Sequence, residues 1–144
     1  MKTSSHGGIA DLFYEAAVIP ELWPAACEAL AAEVGAETAT IFAIDHFGNH
    51  RFVCTPNIRE GIERFSTDPR RLDNIRPARA LEQFPFTFVR ERAFMSDEEL
   101  AKDMVLNEFL RPIGLYWSAG CVFQEPTGHL FMFDLLRRAG ADHY

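Results

Sequence analysis

The chain has 144 residues, 48% of them apolar and 13 of them phenylalanine, which is enough side-chain volume for one core and too little length for two catalytic domains. Fourteen basic against 21 acidic residues leave a net charge of −7, which repels phosphate backbones and anionic lipid, so no direct nucleic-acid or membrane binding by this chain is expected. No apolar run reaches the ~18 residues of a membrane span, Met1 to Gly8 lacks the apolar stretch of a signal peptide, and Cys27, Cys54 and Cys121 lack CxxC spacing; the sequence reads as a cytoplasmic protein with buried thiols.

In chain order, Ile9, Leu12, Phe13, Ala16 and Ala17 form the stripe of an amphipathic helix over Ile9–Val18. A second helix starts near Pro20, carries Leu22, Trp23, Ala26, Cys27, Leu30 and Val34, and stops at Gly35. The period then shortens. Thr38–Ile44 is rich in β-branched residues and turns through His46-Phe47-Gly48-Asn49-His50 into Arg51–Thr55, which predicts a hairpin. Asn57 is placed to cap a short helix bearing Ile58, Ile62 and Phe65, ended by Asp68-Pro69. Ala78–Phe84 gives further helical turns, and Thr87–Val89 a short strand. Ser96 with Glu99 forms a capping box that predicts a helix from Asp97 to about Leu110, ended by Pro112 and Gly114. Leu115–Gln124 and His129–Leu136 are apolar runs joined by Glu125-Pro126-Thr127-Gly128, a second hairpin.

Two hairpins with helices before and between them predict an α+β fold, an antiparallel sheet of about five strands with helices on its faces. Runs such as Cys121-Val122-Phe123 and Phe131-Met132-Phe133 require cover on both sides. This is the outline of PAS and GAF sensor domains. Residues 1–138 are read as one such unit and 139–144 as the start of a linker or tail.

The stretches Leu12–Ala17, Pro20–Ala26, Arg76–Leu81, Glu108–Gly120 and Leu130–Arg138 resemble the N-terminal sensory region of LuxR-type transcriptional regulators. The resemblance implies a domain that binds a small cytoplasmic molecule, dimerises, and signals to a helix-turn-helix that this sequence does not carry. In the acyl-homoserine-lactone subgroup it also implies a Trp, Tyr and Asp constellation at the ligand pocket. The corresponding Asn57–Phe65 has no Trp or Tyr, which argues against that ligand.

Eight of the twelve arginines fall within residues 59–92, which carry +2 while the remainder carries −9. Such a field suits an anionic ligand or an acidic partner face, or simply a solvated helix surface; Arg76 and Arg79 are the leading pair. Asp134 interrupts an apolar strand and needs a partner: a ligand donor, a helix-end amide or an arginine of the lid expected between Asn57 and Leu110. A two-residue turn at Thr127-Gly128 places Trp117, Ala119, Cys121 and Phe123 on the face of Met132 and Asp134, and a three-residue turn reverses this. Small residues Ser118–Gly120 between Tyr116-Trp117 and Phe123 leave room for a ligand or for a close helix. The candidate ligand contacts are therefore Phe42, Arg76, Arg79, Tyr116, Trp117, Ser118 and Asp134. Asp45, His46 and His50 flank a hydrated turn, and neither metal nor another cofactor is expected there. No catalytic motif occurs, so no enzyme is expected. The competing reading is a structural dimerisation module with a filled interior.

Overall fold

The computed structural model describes residues 6–141; the reading of 1–5 as free of a signal peptide and of 142–144 as linker falls outside them. The helices are α1 (His6–Val18), α2 (Trp23–Val34), α3 (Arg59–Thr67), α4 (Arg76–Gln83) and α5 (Asp97–Lys102). The strands are β1 (Thr38–Ile44), β2 (His50–Cys54), β3 (Val89–Arg90), β4 (Leu115–Gln124) and β5 (Leu130–Arg138). They form one antiparallel sheet in the order β2-β1-β5-β4-β3. The α+β reading with five antiparallel strands holds.

The local signals explain most boundaries. Gly35 ends α2 in the left-handed conformation, φ 67°, where its lack of a Cβ removes the steric cost. The capping box is complete: Glu99 N–H donates to Ser96 Oγ at 3.1 Å, and Ser96 N–H donates to Glu99 Oε2 at 3.0 Å. That carboxylate, which also accepts from Arg79, is held down at a pKa of about 2 by these donors.

Two expectations need correction. Asn57 caps no helix; its amide instead donates to Glu37 O at 2.9 Å and ties the lid to the start of β1. The helix from Asp97 also stops at Lys102, because Asp103 turns extended (ψ 124°) and spends its carboxylate on Leu106 N–H at 2.8 Å and on Arg76 at 2.7 Å. The chain restarts as a wide turn over Val105–Leu110 and a tight one over Arg111–Ile113.

Two apolar layers cover the sheet. On one face Cys27 and Ala31 of α2 pack on Ala39 and Leu135, all at most 5% exposed, and these small side chains let the helix approach closely. On the other face Phe42, Ile44, Cys54 and Leu136 meet Ile58, Ile62, Leu100, Leu106 and Leu110 from the lid between Asn57 and Ile113. The second hairpin closes through Pro126-Thr127-Gly128, with Glu125 paired to His129 and Gly128 at φ 95°. This is the three-residue turn, so Ser118, Gly120 and Val122 share the face of Met132 and Asp134.

Candidate functional site

Between sheet and lid lies a cavity with about 80 Å³ open to the centres of water molecules. Its floor is Phe42 of β1, Ser118, Gly120 and Val122 of β4, and Met132 and Asp134 of β5. Ile58, Ile62, Phe65, Ala80, Val105 and Phe109 roof it, and Val89, Glu91 and Phe94 wall the β3 side. Gly120 is required here because a Cβ on it would stand 2.5 Å from Phe133 O. The space is therefore shaped by the backbone as well as by side chains.

The polar groups gather at one end. Ser118 joins two carboxyls: its Oγ donates to Asp134 Oδ1 at 3.0 Å and its N–H donates to Glu91 Oε2 at 3.0 Å. Burial pushes both acids above the ordinary carboxyl range, against the opposing pull of Arg76 and the Ser118 donors. Asp134 is surrounded by protein yet keeps part of its surface on the cavity, so it counts as half-buried by area while being strongly desolvated. Arg76, only 9% exposed, donates from Nη2 to Asp103 Oδ2 at 2.7 Å. Its Nε is buried and has no acceptor among the described residues.

Of the candidate contacts, Phe42, Arg76, Ser118 and Asp134 line the cavity. Arg79, Tyr116 and Trp117 do not. Arg79 points away to Glu99 (2.7 Å) and Phe94 O (3.1 Å), where it ties α4 to α5. Tyr116 is the extra residue of a bulge between Leu115 and Trp117, and Arg92 and Arg111 lie against its ring. Trp117 pairs with Arg137, on the α2 side of the sheet with Leu135. The expected positive field is absent from the cavity, since Asp97, Glu99, Asp103 and Glu108, all beyond the arginine-rich window, neutralise Arg92, Arg79, Arg76 and Arg70.

The residues missed by sequence reasoning are Glu91, Asn74 and Asp103, while Gly120 was among the small residues expected to leave room. Asp103 had a signal: an Asp three residues before Leu106 N–H is helix-cap spacing. Glu91 had none. The hydrogen-bond partner of Asp134 is the Ser118 hydroxyl, which was not named as its partner, while Arg76, an arginine of the kind that was, favours its charge from nearby. At the first hairpin Asp45 spends its carboxylate on Phe47 and Asn49 N–H, while His50 lies between Phe42 and Phe65. No group of three or more potential ligands able to hold a metal ion occurs among the described residues.

Solved structures of low sequence identity share this backbone arrangement. The fold is shared with a LuxR-family transcription factor. That protein is CepR2 of Burkholderia cenocepacia, described as N-acylhomoserine lactone dependent, with a TM-score of 0.64 and 17% identity over 93% of this chain and 78% of that one. Escherichia coli SdiA matches with a TM-score of 0.61 and 12% identity over 86% of this chain and 51% of that one, so the chain spans about half the length of SdiA. No protein-family model matches the sequence, and no curated protein matches it. No helix among the described residues is long and apolar enough to cross a membrane.

Proposed function

We propose that this chain is the PAS/GAF-like ligand-sensing domain of a LuxR-type transcriptional regulator, with residues 1–138 as the sensory unit and 139–144 leading toward a helix-turn-helix not present in this sequence. The observation that carries the reading is a cavity roofed by the lid, mostly apolar with a few convergent polar groups, in a fold shared with CepR2. Phe42, Ser118, Asp134 and Arg76 form the contact set. The protein works in the cytoplasm and does no catalysis itself.

The mechanism follows from packing. A ligand can bias output only through unequal affinity for two states. The lid is held by a few polar ties, Arg76 to Asp103, Arg79 to Glu99 and Asn57 to Glu37 O, so a guest touching Ile62, Phe65 and Phe109 would favour the closed lid. Ligand-dependent change reaches a partner subunit through α1, where Tyr14 and Val18 are 76% and 81% exposed. The ligand differs from acyl-homoserine lactones, because the Asn57–Phe65 stretch gives the roof Ile58, Ile62 and Phe65 and no indole or phenol.

Thermal unfolding against a metabolite library tests this. A ligand at 100 times its Kd adds about 2.7 kcal/mol. No stabilising compound, together with unchanged dimerisation, would favour the structural module instead.

A further inference from the structure

The polar end of the cavity holds more acid than base. Asp134 from β5, Glu91 after β3 and Asp103 after α5 stand around the Arg76 guanidinium, already committed to Asp103 at 2.7 Å, while Arg92, paired with Asp97, acts on Glu91 from outside the cavity lining. Ser118 satisfies one oxygen each of Asp134 and Glu91 as a neutral donor and supplies no charge. The other polar side chains at this end are Asn74, which accepts from Arg76 N–H, and Thr40, opposite Asp134 in register and with its buried hydroxyl unpartnered. Among the described residues no second cation lines the cavity. An anionic guest would therefore enter a field of its own sign in a poorly solvated place, where such repulsion is strongest.

A second, independent feature narrows the chemistry. Arg76, nine-tenths buried and lining the cavity, holds an Nε–H with no acceptor among the described residues. Buried donors are seldom left so unless something else supplies the acceptor. The guest must then offer positive charge to the acids and a neutral acceptor to Arg76, and the volume of about 80 Å³ limits it to a compact body.

Building on the ligand-sensing reading above, we infer that the cavity takes a compact protonated amine with an apolar body, its ammonium held between Asp134 and Glu91 and a hydroxyl or carbonyl turned to Arg76 Nε. Burial disfavours the charge of both acids, and an ammonium between them offsets that cost. Binding favours the ionised acids and therefore tightens as pH rises through their raised values, among charged neighbours comprising Arg76, Arg92, Asp103, Glu91 and Asp134.

The test uses three matched probes: leucinol, 4-methylpentane-1,2-diol and 2-hydroxy-4-methylpentanoate, which share the isobutyl body and hydroxyl and differ as ammonium, neutral hydroxyl and carboxylate. Calorimetric titration and thermal shift of the whole chain at pH 5 and 7 should show leucinol binding at least tenfold tighter than the diol, no binding of the acid, and tighter leucinol binding at pH 7. Asp134→Asn, which keeps the acceptor for Ser118, should abolish the preference for the amine, with its own unfolding curve as the folding control. Glu91→Gln should weaken the preference and provides the second variant if Asp134→Asn does not fold. Equal or tighter binding of the diol or the acid overturns the amine inference and leaves ligand sensing standing. Failure of all three probes at millimolar concentration also overturns it, and sensing itself falls only if the metabolite library gives nothing either.

Discussion

Replacing Arg76 with Met keeps an unbranched stem beside the cavity and deletes the guanidinium that lines its polar end. The partner Asp103 has a side chain only 9% exposed, so the substitution leaves its carboxylate buried, with Leu106 N–H as the remaining donor. Removing one member of a buried pair costs about 3–5 kcal/mol, well above the 0–1 kcal/mol of a surface pair. Against a total stability of roughly 5–15 kcal/mol this is severe, and at about 2–4 °C per kcal/mol it lowers Tm by roughly 6–20 °C. Urea unfolding of wild type, Arg76→Met, Asp103→Asn and the double variant measures it. The double variant should recover part of the loss, with a coupling above ~1.5 kcal/mol. A single-variant loss under ~1 kcal/mol with no coupling would refute the claim that this pair fastens the lid.

Other consequences concern backbone, cap and protons. Gly120→Ala should cost about 1–3 kcal/mol in urea unfolding, because the new methyl meets Phe133 O at 2.5 Å and backbone has to move; an unchanged midpoint would contradict the packing. Ser96→Ala removes the acceptor of Glu99 N–H and should cost ~1 kcal/mol, read from the same unfolding curves. Burial raises the carboxyls of Asp134 and Glu91, so the folded state holds more protons than the unfolded one above their ordinary values near 4. Their contribution to stability is thus greatest in acid and declines as pH rises through the raised values. Asp134→Asn should flatten this decline relative to wild type as pH rises above the ordinary carboxyl value near 4; parallel stability curves would show that the acid is not desolvated.

The sheet was legible because its signals are local. Thr38–Ile44 and Leu115–Gln124 are β1 and β4 to the residue, since β-branched and apolar runs bounded by turn residues have few other uses. The lid was harder to read. The carboxylate of Asp103 is claimed by Arg76, 27 residues away, and no helical pattern records a contact across that distance. The face of β4 turned on a single residue of loop length: Pro126-Thr127-Gly128 makes the three-residue turn that brings Ser118 beside Asp134 and carries Trp117 to the other side. The arginine-rich window gave a true count and a misleading field, because the acids that neutralise it follow in residues 97–108. Composition along the chain is not composition in space.

The most direct measurement is a calorimetric titration of the strongest stabiliser from the metabolite library into wild type and into Ala80→Phe. Ala80, 4% exposed, faces the cavity from α4, and a benzyl side chain there takes the space of the guest. Wild type should bind and the folded variant should lose at least tenfold in affinity. Equal affinities would place the ligand elsewhere and contradict the assignment of this cavity as the sensory site.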